Sequence, residues 1–462
     1  MKRSLSAFAR SCGGELIGTD RQFTGVSTDT RTLATGELFV ALRGPRFNAN
    51  DFVNAAETAG AAGAVVDTLV DRPLPQILVR DTQNALTAAS AAWRNHFQFP
   101  IVGVAGSNGK TTVKEMIAAI LERSGPALAT RGNFNNHIGV PLTLFRLDAA
   151  HRHAVVEIGA NRAGEVADLV KIARPTVGLI TNAGAEHLEG FGSIEGVARA
   201  EGEMVAGLEP SATAIINADD VFADLWRGMT RARVITFGIA NPADFSAHDI
   251  TTAISTTVAE GFVTRFEMRT PHGATPVELT LAGRHNVVNA LCAAAAATAA
   301  GASLADVRGG LATMRPVPGR LQLKSAPSGA WIVDDSYNAN PSSMKAGIEV
   351  LESIDARRWL VMGDMGELGD FADSSHQEIG RFAREHRVDR LFATGRLSAQ
   401  AVEAFGTGAE WFSDTESLAR AVNAELTREV CVLVKGSRSN RLERVVEALT
   451  GQLTNDTNPG TH

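Results

Sequence analysis

The run Gly103-Val104-Ala105-Gly106-Ser107-Asn108-Gly109-Lys110-Thr111-Thr112 constrains this chain more than any other stretch. An apolar strand candidate at 101–105 leads into it, and a helix predicted over 110–123 leads out. A strand, a glycine turn and a helix in that order let backbone N–H groups curl around phosphate oxygens. Lys110 then falls near the β- and γ-phosphates of a nucleoside triphosphate, and the Thr111 hydroxyl is offered to Mg²⁺. Gly106, Ser107, Asn108, Gly109 and Thr112 complete the cradle. Strict spacing for such a loop asks for a very small residue at position 104, where Val stands, so a chance Gly-Lys-Thr turn is the competing reading. The motif points to ATP or GTP; it does not choose the reaction.

Around this loop the chain divides by texture. Its 462 residues exceed one compact domain, and length alone suggests about three. Residues 1–82 alternate short apolar runs, at 38–42 and 64–66, with Gly- and Asp-rich turns, as in a small α/β module. Residues 83–315 carry strand candidates at 101–105, 154–158 and 177–181, each followed by helical sequence. That alternation predicts a parallel sheet covered on both faces. Within the same block, 249–281 alternates apolar and polar residues as β-hairpins do. A Pro-bounded hinge at 315–320 opens residues 316–462, where strand candidates at 331–333, 359–362, 390–393 and 431–434 again alternate with helices. The fold class is α/β. The uncharged stretch 286–305 approaches membrane-spanning length but is mostly Ala, Thr, Ser and Asn, so it reads as a small-residue core helix. The polar tail after Gln452 is expected to fray.

Composition narrows the function. A net charge of -7 argues against a nucleic-acid binder. Cys12, Cys292 and Cys431 form no CxxC pair, which suits a reducing cytoplasm rather than a disulfide framework or a zinc site. No apolar run follows the charged Met1-Lys2-Arg3-Ser4, so neither a signal peptide nor membrane insertion is expected.

Gly-Ser-Asn-Gly-Lys-Thr-Thr at 106–112 is the form this loop takes in the Mur ligases and their folylpolyglutamate synthetase relatives. The chain resembles that family over 27–438. The resemblance implies a three-domain architecture: a UDP-sugar-binding module, a central P-loop domain with a parallel sheet, and a C-terminal Rossmann-like domain. Glu157, in Val156-Glu157-Ile158-Gly159, looks like the family's Mg²⁺-binding glutamate; the residues alone also allow a solvated strand end. His187, in the 181–189 loop, looks like the metal-site histidine, against a structural histidine. Glu201 stands where relatives usually carry a lysine that CO₂ carbamylates near a second Mg²⁺. This departure from the family pattern suggests that the Glu201 carboxylate supplies that charge directly, with no CO₂-derived group needed; the alternative is a solvated helix residue and a weak second metal site. Asn289 resembles the adenine contact, Arg320 a nucleotide-contacting arginine and Asp335 the ribose-binding aspartate, or else a turn residue.

Lys435 and Arg438 belong to a basic loop that faces the acyl-phosphate site or is simply solvated. Ser27, Thr28, Asp29, Arg31 and Arg43 lie in runs resembling the UDP-sugar site, with Asn50 where the family usually has His. Three runs resemble the branch that adds D-alanyl-D-alanine: 336–341 with Tyr337 and Asn338, 133–139 with Asn135 and Asn136, and 363–369. Asn135 and Asn136 are substrate contacts or turn formers.

Joining a carboxylate to an amine in water is uphill, so the carboxylate must first be activated. The resemblance implies that ATP does this through an acyl phosphate, with Lys110, His187 and Lys435 as catalytic candidates. It also implies UDP-N-acetylmuramoyl-tripeptide and D-alanyl-D-alanine as substrates, in a monomer of the cytoplasm. The competing readings are another ligase of the superfamily, such as a folate-polyglutamylating enzyme, a P-loop ATPase that switches a partner, and a non-catalytic UDP-sugar binder.

Overall fold

A computed structural model of the chain describes residues 3–44, 47–185, 188–255 and 261–451. His187 and the tail from Gln452 lie outside the described residues. The first sheet is mixed and five-stranded, in the order Glu15–Ile17, Gln76–Leu78, Gly63–Val66, Leu38–Val40, Val26–Ser27. The helix Thr82–Arg94 follows it, its N-terminus capped by the Asp81 side chain, which accepts from Asn84 N–H.

The central sheet is wholly parallel, as the alternation of strands and helices predicts. Its order is Arg233–Phe237, Thr213–Asn217, Val177–Ile180, Ile101–Ala105, His153–Glu157, Ala127–Ala129. The phosphate-loop strand thus lies between two neighbours whose carboxyl ends carry Thr181 and Glu157. That placement brings three separated motifs to one edge of the sheet, where open α/β folds bind ligands. The helix Lys110–Leu121 buries Val113, Met116, Ile117, Ile120 and Leu121, the spacing of one apolar face.

Beside it lies the small-residue helix Arg284–Ala299, with Ala293 to Ala297 fully buried in the same core. Alanines on both sides let the two helix backbones approach closely. The hairpin expectation holds as an antiparallel meander, Ser246–Ser255, Gly261–Thr270 and Gly273–Leu279. Among the described residues no helix is long and apolar enough to cross a membrane.

The last sheet runs Gln322–Ser325, Trp331–Asp335, Val430–Lys435, Arg357–Met362, Arg390–Thr394, Ala409–Phe412, parallel except for its first strand. Asp335 and Lys435 are register partners at the ends of adjacent parallel strands. Residues 100 apart in the chain therefore meet by sheet geometry alone.

Candidate active site at the phosphate loop

The loop is shaped before any phosphate arrives. Gly106 has φ +121°, and a Cβ there would stand 2.2 Å from Thr181 Oγ1, so only glycine fits. Asn108 is held through its backbone: its N–H donates to Asn182 Oδ1 at 3.0 Å. Its carbonyl accepts from Thr181 Oγ1 at 2.7 Å and from Asn182 Nδ2 at 3.0 Å. Gly109, at φ +84°, starts the helix. The Lys110 ammonium donates to the carbonyls of Gly106 and Ser107, which folds it back over the loop. Gly106 N–H in turn donates to Glu201 Oε2 at 2.7 Å. Glu201 is 3% exposed on the helix Ile194–Ala206, so the solvated-helix alternative is excluded.

Glu157 is 2% exposed, which likewise excludes a solvated strand end. Its Oε1 accepts from Asn135 Nδ2 at 2.9 Å and faces Thr111 Oγ1 at 3.5 Å. Its Oε2 is buried and makes no hydrogen bond. A carboxylate with spare lone pairs beside a threonine hydroxyl and a phosphate cradle fits Mg²⁺. That ion takes one or two carboxylates, keeps waters and shares substrate phosphates. Among the described residues, which do not include His187, no group of three His, Cys, Asp or Glu side chains is poised for a metal. Glu201 sits behind Gly106 and is not on the cavity wall. Its charge reaches the loop through the backbone.

The loop opens on a cavity of about 610 Å³ between the central and last sheets. Ser107 to Thr112, Asn135, Glu157, Asn289, Arg320, Asp335, Tyr337, Asn338 and Lys435 all line it. Lys435 Nζ lies 2.6 Å from Asp335 Oδ2 and donates to the Asn338 carbonyl at 2.9 Å. It is a buried, tethered cation rather than part of a solvated turn. Burial pushes the Asp335 carboxyl up against the opposing pull of the Lys435 ammonium. Burial, aided by the charge of Lys435, pushes His285 on the same wall down to about 4, so it is neutral at pH 7. Arg320 lies over the Tyr337 ring at 4.7 Å and Arg438 over it at 5.9 Å. Tyr337, the chain's single tyrosine, thus organises both guanidiniums.

Some expected residues do not reach this cavity. Asn136 takes the turn role: its Oδ1 accepts from Ile138 N–H at 3.0 Å and Gly139 N–H at 2.9 Å. Ser27, Thr28, Asp29, Arg31 and Arg43 belong to the first sheet region. There Arg31 grips Asp29 with two parallel bonds, and Arg43 pairs with Asp67, which also accepts from Asn50 Nδ2. Asn50 Oδ1 is left buried without a partner. Sequence reasoning passed over Asn182, Asn340, His285 and Lys114. The signal for Asn182 is a polar residue just past an apolar strand, but its role depends on which strand lies next door.

Comparisons with known proteins show the family of the chain as a whole. The Mur ligase middle domain pattern matches residues 104–297, and the Mur ligase glutamate ligase domain pattern matches 319–438. The UDP-N-acetylmuramoyl-tripeptide--D-alanyl-D-alanine ligase of Escherichia coli (strain K12) is 42% identical, covering 96% of this chain and 98% of its own. A crystal structure of MurF from Acinetobacter baumannii superposes with a TM-score of 0.91 at 33% identity, over 98% of this chain and 99% of that one. MurF ligase from Thermotoga maritima in complex with ADP gives 0.80 at 26% identity, over 93% and 97%. The chain belongs to the Mur ligase family of ATP-dependent peptide ligases.

Proposed function

We propose that this chain joins D-alanyl-D-alanine to UDP-N-acetylmuramoyl-tripeptide at the expense of ATP. The products are the UDP-linked pentapeptide, ADP and phosphate, a step in making peptidoglycan for the cell wall. The observation that carries this reading is the shared cavity. The phosphate loop faces Arg320, Asp335 and Lys435 across about 610 Å³, room for a nucleotide and an acyl acceptor together.

In this reading Asn289, Arg320 and Asp335 hold the nucleoside, and Gly106 to Thr112 hold the phosphates. Thr111 and Glu157 would hold Mg²⁺, His187 is a further ligand on the family resemblance alone, and Glu201 adds charge from behind the loop. When bound, the ion neutralises charge between the two anions that must meet. The tripeptide carboxylate attacks the γ-phosphorus, the bond to ADP breaks, and an acyl phosphate forms. The D-alanyl-D-alanine amine then attacks the carbonyl, loses its proton, and phosphate leaves. Lys110 stabilises charge on the transferring phosphoryl group, and Lys435 does so on the acyl side. Asn135, Tyr337, Asn338 and Arg438 frame the peptide, with Asn136 shaping the turn beneath it. Ser27, Thr28, Asp29, Arg31 and Arg43 take the uridine end.

The chain works as a cytoplasmic monomer of three units, 1–82, 83–315 and 316–462, without nucleic acid or membrane insertion. Phosphate release tests the reading: UDP-N-acetylmuramoyl-tripeptide plus D-alanyl-D-alanine should give sustained ATP turnover and pentapeptide product. Turnover that depends on a folate instead, or on no small acceptor, would overturn it.

A further inference from the structure

Lys114 is fully buried, which is rare for a lysine and costly unless its charge is matched. It lies one helical turn beyond Lys110. Its ammonium donates to the carbonyls of Thr130 at 2.9 Å and Gly132 at 3.3 Å. Two carboxylates complete its surroundings, Glu115 Oε1 at 2.9 Å and Glu157 Oε2 at 3.8 Å. That second oxygen is the one that makes no hydrogen bond. The segment Lys114 grips is itself laced to the end of the Glu157 strand. Thr130 Oγ1 accepts from Glu157 N–H at 3.0 Å, Asn135 Nδ2 donates to Glu157 Oε1 at 2.9 Å, and Gly159 N–H donates to the Asn135 carbonyl at 2.9 Å.

We propose that Lys114 is a positioning residue that fixes the Glu157 carboxylate and the 130–135 segment relative to the phosphate loop, so that a divalent cation meets a preset ligand. The inference rests on Glu157 as a cation ligand. Three separate elements must hold one geometry here: the phosphate-loop helix, the strand end and the segment carrying Asn135. A methionine would fill the same volume without gripping either carbonyl. The ammonium instead joins all three, drawing Glu157 Oε2 towards the helix while Oε1 stays beside Thr111. Partners behind a metal ligand typically control affinity by about ten- to a hundredfold.

The test uses the full chain with a non-hydrolysable ATP analogue and Mn²⁺, bound metal being read by electron paramagnetic resonance. Lys114→Met, Glu157→Gln and the double variant are compared. Glu157→Gln should weaken Mn²⁺ binding about tenfold or more, and Lys114→Met by a similar factor. The double variant should be no weaker than Glu157→Gln within about twofold, because the lysine acts through the carboxylate. Nucleotide binding without metal should stay within about twofold of wild type in Lys114→Met, since the loop itself is intact. Wild-type Mn²⁺ affinity in folded Lys114→Met, or losses that multiply in the double variant, overturns the inference while the metal role of Glu157 stands. Unchanged affinity in Glu157→Gln overturns the metal role itself, and the inference with it. A Lys114→Met chain that folds only when Glu157→Gln is added supports the coupling. If neither folds, Lys114 serves the core alone and the inference fails.

Discussion

The side-chain amide of Asn340 donates to Asn108 Oδ1 at 2.8 Å, joining the last domain directly to the phosphate loop across 232 residues of sequence. Asn108 Nδ2 donates in turn to Ser342 Oγ at 3.0 Å. The loop's own shape depends on the Asn108 backbone, held by Thr181 and Asn182, so the side chain is left to the neighbouring domain.

Asn108→Ala therefore separates the interdomain latch from the loop. Two hydrogen bonds of about 0.5–1.5 kcal/mol each are lost, so kcat/KM should fall roughly tenfold. The radius of gyration from small-angle scattering should rise, and substrates should bring it back. An unchanged radius in every ligand state would show that the last domain does not depend on this contact.

Lys110→Ala should abolish ligation, by about a thousandfold or more, with the fold intact. Its ammonium donates to the Gly106 and Ser107 carbonyls, and the residue lines the cavity rather than packing in a hydrophobic core. A normal thermal melt together with lost phosphate release is the expected pair of results. Near-normal turnover would remove the nucleotide assignment.

Glu201 combines burial with a bond to the loop backbone at Gly106. Glu201→Gln keeps an acceptor for that N–H but removes the charge, and should lose activity by about tenfold or more. Glu201→Lys should regain part of it when bicarbonate is added, by forming a carbamate. Wild-type rates in Glu201→Gln across a magnesium titration would show that only the hydrogen bond matters.

His285 gives a pH signature. Its folded pKa is pushed down to about 4, below the ordinary histidine value of 6.5. Above pH 6.5 both states are neutral and the residue has no effect. As pH falls from 6.5 towards 4 the unfolded chain takes up a proton that the folded one refuses, so stability falls across that window and then levels. The contribution is on the order of 2 kcal/mol, after allowance for solvent at the cavity wall. Melts between pH 7 and 4.5 should show a shallower loss for His285→Gln than for wild type. Equal slopes would place the imidazole in contact with water.

The local code of this protein is strong because single elements carry it. The phosphate loop, the alanine-rich helix and the antiparallel meander each depend on residues close together in the chain, where glycine conformations and apolar periodicity act directly. The sequence alone determined those elements, the α/β class and the family resemblance that tied distant motifs to one site. What it left open was adjacency. Glu157 and Thr181 flank Gly106 because their strands are the neighbours of Ile101–Ala105, an order set by how the sheet winds. Lys435 meets Asp335 through strand register, and Asn340 meets Asn108 through domain packing. Asn135 and Asn136, adjacent and alike in sequence, part company only in the fold: one binds Glu157 and the other caps a turn. Nothing in the local sequence marks Lys114 as buried; its ammonium is taken up by the Thr130 and Gly132 carbonyls only once the chain has packed. Such roles depend on which polar groups are left without water once the chain has packed, and only the tertiary structure decides that.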